Sequence, residues 1–137
     1  MIKSINEEAD TTIYSCILVE DEPLAYGMMQ EYIRSSEHLA LLGTARTLAE
    51  LKELLLKLTP EIIFLDLIIP PGGCRDFDYS MLPADATVVV ISGIPLAVYD
   101  QQHLLNNPIE LLKPVSHERF ISCVGTVVEE RRRKVWG

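Results

Sequence analysis

The sequence predicts an α/β protein: a doubly wound, five-stranded parallel sheet with helices on both faces. Two observations predict it. Short apolar runs of strand length alternate with stretches whose apolar residues recur at helical spacing, and strands joined through helices pair in parallel with right-handed crossovers. The second observation is chemical, because four of the runs end on reactive side chains. Cys16-Ile17-Leu18-Val19 runs into Glu20-Asp21-Glu22, and Glu61-Ile62-Ile63-Phe64-Leu65 into Asp66. Val88-Val89-Val90-Ile91 ends on Ser92, and the run 109–112 reaches Lys113-Pro114. In an open parallel sheet the carboxyl ends of the strands are where ligands bind.

Taken in order, a polar N-terminal tail covers 1–13 and a strand 14–19. Pro23 suits the first turn of a helix, where its missing N–H costs nothing. Leu24, Met28, Tyr32 and Ile33 give that helix an apolar face. A second strand occupies 39–43. Thr47 and Glu50 form a capping box for a helix with Leu48, Leu51, Leu55 and Leu58 on one stripe, which stops before Pro60. The Asp66 strand and a loop around Pro70-Pro71-Gly72-Gly73 follow. Only Phe77, Met81 and Leu82 in 74–82 can be buried, so a short or irregular helix is expected there. After the Ser92 strand, Pro95 opens a helix to about 105, broken by Asn106-Asn107-Pro108. A brief fifth strand precedes a closing helix that Ser116 caps, running to about 134 with Phe120, Val124, Val127 and Val128 inward.

Composition excludes several roles. The 137 residues suffice for one domain with a core, and 48% hydrophobic content with a mean hydropathy of +0.18 marks a globular chain. A net charge of −8 argues against direct nucleic-acid binding, which needs clustered cations. The tail carries Glu7, Glu8 and Asp10 and lacks the apolar stretch of a signal peptide. No run approaches the roughly 20 apolar residues of a membrane helix. Cys16, Cys74 and Cys123 lack metal spacing and read as free thiols in a reducing compartment, so a cytoplasmic location is expected. His38, His103 and His117 read as surface residues, and the basic run 131–134 as the ordinary cationic end of a helix.

The segments Val19-Glu20-Asp21-Glu22-Pro23, Phe64-Leu65-Asp66 with Pro70 four residues on, Ile91-Ser92-Gly93 and Leu112-Lys113-Pro114 resemble the receiver domain of two-component response regulators. Each motif is weak alone; four in the right order, each at a strand end, are specific. The resemblance covers 14–134. The wording of Asp21-Glu22-Pro23-Leu24-Ala25 and of 111–120 is most similar to receivers that precede a LytTR-type DNA-binding domain.

The resemblance implies a flavodoxin-like strand order, 2-1-3-4-5. It implies that Asp66 accepts a phosphoryl group from a sensor histidine kinase, and that Glu20, Asp21, Asp66 and the backbone carbonyl of Ile68 hold Mg²⁺. Lys113 would face the phosphoryl oxygens, Ser92 would donate its hydroxyl to them, and the Lys113–Pro114 peptide would be cis. Phosphoryl transfer is mostly positioning and charge neutralisation, which such a set supplies. A chain of this kind is no enzyme beyond its own phosphorylation and dephosphorylation. Its output would be homodimerisation or an effector, such as a LytTR-type domain in a longer chain.

Three departures from the family pattern bear on function. Glu110 stands where an aromatic switch residue is usual, three positions before Lys113. Pro71-Gly72-Gly73 replaces the usual run to a single glycine in the loop after Asp66, with Asp76 and Asp78 nearby. Ile68 and Ile94 are apolar where they would face a water attacking the acyl phosphate, so slow self-dephosphorylation is expected. The alternative function is a phosphorylation-independent pseudo-receiver, a protein-interaction module of the same fold. An aspartate-nucleophile phosphatase fits less well, since Ile68 replaces its acid/base aspartate. A flavin-binding flavodoxin lacks its phosphate loop here.

Overall fold

In the computed structural model, which describes residues 12–66, 79–93 and 108–136, the sheet has five strands. They are β1 (Tyr14–Val19), β2 (Leu39–Ala45), β3 (Ile62–Asp66), β4 (Thr87–Ser92) and β5 (Ile109–Leu112). All neighbours are parallel, in the order β2-β1-β3-β4-β5. The described helices are α1 (Pro23–Ser35), α2 (Leu48–Lys57) and α3 (His117–Trp136), with one 3-10 turn at Tyr79–Met81. Of the short or irregular helix expected at 74–82, the described residues hold only this turn, and 74–78 lie outside them. The helix expected at 95–105 lies outside the described residues, as do Ile68, Cys74, Asp76, Asp78, Ile94 and His103. No helix among the described residues is long and apolar enough to cross a membrane.

Strand alternation sorts the core onto the two sheet faces. Cys16, Leu18, Ile62, Phe64, Val89, Ile91 and Leu111 form one cluster with Met29 and Ile33 of α1 and with Phe120, Cys123, Val124, Val127 and Val128 of α3. Ile17, Val19, Ile63, Leu65, Val88 and Val90 form the other, against Leu51 of α2 and Leu82. β3 and β4 lie between layers and are buried at every position, which explains their unbroken apolar runs.

Several local expectations shift. Of the expected face Leu24, Met28, Tyr32 and Ile33, Ile33 is buried and Tyr32 packs against the core, but Met29 takes the place of Met28; Leu24 and Met28 are 70% and 38% exposed. Two adjacent apolar stripes exist in this helix, and the sheet covers only one. β2 extends to Ala45 because Thr44 and Ala45 still pair with Leu18 and Val19. Its register slips between Cys16↔Leu41 and Ile17↔Gly43, leaving Leu42 as an exposed bulge on this edge strand. Gly43 follows because a Cβ there would lie 3.0 Å from Leu54 Cδ2, where α2 crosses the strand.

The helix starts use side-chain caps. Thr47 Oγ1 accepts the Glu50 N–H (3.1 Å), and Glu50 Oε1 accepts from the Arg46 N–H (2.7 Å), one residue earlier than a standard capping box. Ser116 Oγ accepts the Arg119 N–H at 3.1 Å. Burial pushes the Cys16 and Cys123 thiols up, to about 12 and about 11, so both are inert packing groups.

The basic end of α3 is engaged with the sheet. Arg131 Nη1 donates to the carbonyls of Asp85 (2.6 Å) and Glu61 (3.1 Å) and to Thr87 Oγ1 (3.3 Å), and Lys134 Nζ donates to the Asp85 carbonyl (3.0 Å). These groups sit at the amino ends of β3 and β4, opposite the carboxyl edge of the sheet. Arg131→Met is therefore expected to lower stability by about 1.5–3 kcal/mol, the range for hydrogen bonds to a charged group. A urea midpoint equal to the parent's would contradict that role.

Candidate functional site

β1, β3, β4 and β5 end at the same edge because all run parallel. Val19 pairs with Leu65, and Asp66 with Ile91, so Glu20 follows β1 beside Asp66 while Ser92 lies one step beyond Asp66's partner. The Glu20 N–H donates to the Ala45 carbonyl (3.0 Å) and the Lys113 N–H to the Ser92 carbonyl (2.8 Å). These bonds carry the ladder one residue past the strands and fix where the two side chains start. Glu20, Asp66 and Lys113 continue the positions of Leu18, Phe64 and Leu111, which serve the α1/α3 face; Ser92 continues Val88 and Val90, which serve the other.

The structure brings the expected acids and lysine together. Carboxylate oxygens of Glu20, Asp21 and Asp66 lie within 4.8 Å of one another. Lys113 Nζ stands 3.2 Å from both Glu20 oxygens, donating a hydrogen bond to Oε2, and 3.6 Å from Asp66 Oδ2. Glu20 is fully buried, Asp66 is 5% exposed and Asp21 is half-buried. Ser92 is buried as well. The Lys113–Pro114 peptide is cis. The Ile68 carbonyl lies outside the described residues.

Charge is unbalanced here. Among the described residues, three carboxylates face one ammonium, a formal charge of −2, in a place where water is largely excluded from Glu20 and Asp66. Buried charge of this kind requires a compensating partner. Glu20 Oε2 accepts from the Glu22 N–H (3.1 Å) and from Lys113, whereas the buried Oε1 accepts no hydrogen bond. A buried carboxylate oxygen that accepts no hydrogen bond and has only the Lys113 ammonium near it, beside two more carboxylates, fits a hard divalent cation, and the donor set is all oxygen, as Mg²⁺ prefers. At Lys113, desolvation works to lower the pKa, but the charges of Asp66 and Glu20 and their hydrogen bonds outweigh it, so the pKa is raised.

The first turn of α1 is capped by Glu22, a role the sequence reading did not assign. Glu22 carboxylate oxygens accept from the Ala25 N–H (2.9 Å) and the Leu24 N–H (3.1 Å), which hold its pKa low. The signal was available, since Glu22 directly precedes a proline at the first helical position. With the cap supplied by Glu22, the two preceding acids are left to the cluster. Arg46 was also missed: its Nη2 donates to the Asp21 carbonyl (3.4 Å) and its guanidinium lies 5.0 Å over the Tyr26 ring. Beside the acids, Leu24, Met28, Tyr32, Pro114 and Val115 line an apolar hollow of about 370 Å³. Glu110 is exposed on β5.

No family model matches the sequence. An uncharacterized response regulatory protein of Vibrio cholerae is 26% identical over 120 residues, 87% of this chain and 50% of that protein. The chain thus spans about half the length of the curated relative it matches. Among solved structures, the REC domain of AraT, a response regulator from Geobacillus stearothermophilus, superposes with a TM-score of 0.72 at 22% identity, over 90% of this chain and 98% of that one. The signal receiver domain of NarL from Mycobacterium tuberculosis gives 0.71 at 19%, over 86% and 98%. The anti-anti-sigma factor PhyR from Bartonella quintana gives 0.74 at 15%, over 98% of this chain and 55% of that one. The chain has the flavodoxin-like fold of these solved structures.

Proposed function

We propose that the chain is a phosphorylation-activated receiver domain of a two-component response regulator, with Asp66 as the phosphoacceptor. The observation that carries this reading is the placement of three carboxylates and one ammonium at the carboxyl edge of the sheet. An Asp66 carboxylate oxygen attacks the phosphorus of a sensor kinase's phosphohistidine; the new O–P bond replaces the P–N bond, and the imidazole leaves with a proton. Lys113 meets the phosphoryl oxygens from one side. Glu20, Asp21, Asp66 and the Ile68 carbonyl would hold Mg²⁺ on the other. When bound, the ion offsets phosphoryl and carboxylate charge during transfer. Ser92 donates its hydroxyl to the phosphoryl group. The apolar hollow beside Lys113, with exposed Leu24 and Met28 at its side, suits a docked helix of the kinase.

Phosphorylation adds about two negative charges and shifts a pre-existing equilibrium of the fold. The output is homodimerisation or docking of an effector, such as a LytTR-type domain in a longer chain, in the cytoplasm. One observation favours a second reading, the phosphorylation-independent pseudo-receiver: exposed Glu110 stands at the usual aromatic switch position. Phosphoramidate with Mg²⁺, read by intact mass, separates the two. The expected result is a single phosphoryl adduct that Asp66→Asn abolishes. A protein that takes no adduct under any Mg²⁺ condition is the pseudo-receiver.

A further inference from the structure

The geometry points to Tyr32, on α1, as a positioning residue for Lys113. Its hydroxyl donates to the Val115 carbonyl at 3.2 Å, across 83 residues of sequence. Val115 lies two residues beyond Lys113, in the short segment between β5 and α3. On the other side of the lysine, its own N–H is held by the Ser92 carbonyl. The backbone that carries the ammonium is thus tied at both ends, to β4 before it and to α1 after it.

The Tyr32 ring is itself fixed. It stacks on His117 with centroids 5.2 Å apart and leans on Phe120 at 5.5 Å, the first turn of α3. Phe120 in turn meets Phe64 at 5.8 Å, two residues before Asp66. A rigid aromatic column therefore sets the distance between α1 and the lysine segment. Lys113 reaches Glu20 and Asp66 at once, so the placement of its backbone bears on both contacts. Tyr32 also borders the apolar hollow beside the acids, where Pro114 and Val115 form part of the wall. A group seated in that hollow touches both the anchor and the segment it holds.

The role in phosphoryl transfer rests on the proposed function, whereas the anchoring does not, and Tyr32→Phe tests the two separately. Phenylalanine keeps the ring packing and removes only the hydroxyl. Hydrogen exchange at the Lys113 amide, followed by NMR without any phosphodonor, is expected to quicken by about fivefold, the scale of one hydrogen bond, while the β1 amides stay as they are. Adduct formation with phosphoramidate slows by a similar factor, and adding Tyr32→Phe to Lys113→Met slows it no further. Unchanged Lys113 exchange in the folded variant overturns the inference. So does an equal slowing in the Lys113→Met background, since Tyr32 would then act by another route. A parent protein that takes no phosphoryl group overturns the proposed function instead, and the exchange measurement still decides whether Tyr32 holds the segment.

Discussion

Lys113→Met is expected to slow phosphorylation of Asp66 by small phosphodonors by about 10²–10³-fold, the usual cost of removing one preorganised group that stabilises transition-state charge. The same change removes the one described cation in contact with Glu20 and Asp66. Severing a fully buried ion pair costs about 3–5 kcal/mol, and partial solvation of this lysine reduces the expected Mg²⁺-free loss to about 1–3 kcal/mol. The sign follows from the direction of the lysine shift. Asp66 and Glu20 outweigh desolvation and raise its folded pKa, so the stabilisation is complete below the unfolded value of 10.5 and is lost as the pH rises through the higher folded one. In chemical denaturation, parent and variant should therefore differ at neutral pH and converge in strong base. Mg²⁺ should narrow the neutral-pH gap, because a divalent cation among the carboxylates takes over part of the ammonium's task. Lys113→Arg should recover stability better than rate, as a planar fork does not reproduce a compact point charge. Equal phosphorylation rates in parent and Lys113→Met would remove the ammonium from the chemistry.

The difference between what was legible in the sequence and what was not has a physical source. Asp66 and Ser92 could be read because a buried strand is a short unbroken apolar run, and a polar residue that ends one must sit at the sheet edge; Lys113 ends a shorter run that Glu110 interrupts. That argument needs no side-chain orientation. The burial of Met29 rather than Met28 does need it, since both residues are apolar and only the angle at which α1 meets the sheet chooses between them. The division of labour among Glu20, Asp21 and Glu22 is similar: three adjacent acids look alike until the first turn of α1 selects the one whose carboxylate reaches two amides. Arg131 was legible only as a helix-end cation, because its carbonyl partners at Glu61 and Asp85 are 70 and 46 residues away. Tyr32 is in the same position with respect to Val115. Local pattern therefore located the carboxyl edge of the sheet, while the contacts that hold it in shape are long-range and carry no sequence signature.

Phe64→Ala is expected to cost about 3–5 kcal/mol, the range for emptying a large aromatic site in a core. Phe64 is fully buried in β3, on the face where Met29, Ile33 and Phe120 pack, so neighbours on both helices limit how far the cavity can collapse. Domain stabilities run to about 5–15 kcal/mol, which makes this loss a large share of the total and visible as a lowered urea midpoint at unchanged slope. The ring also lies two residues below Asp66 on the same side of the strand, and it meets Phe120, which supports Tyr32. Its removal should thus loosen the lysine segment as well as the core. Mg²⁺ separates the two effects. A ligand that binds only the folded state adds about 2.7 kcal/mol at one hundred times its dissociation constant, whatever the starting stability. If the carboxylates of Phe64→Ala remain in place, saturating Mg²⁺ raises its midpoint as much as the parent's. If the cavity displaces Asp66, the Mg²⁺ increment shrinks along with the rate of adduct formation. Phe64→Leu, which fills most of the space, should lie between the two on both measures. A variant that loses less than about 1 kcal/mol would mean that the aromatic column beneath the acids is not a support.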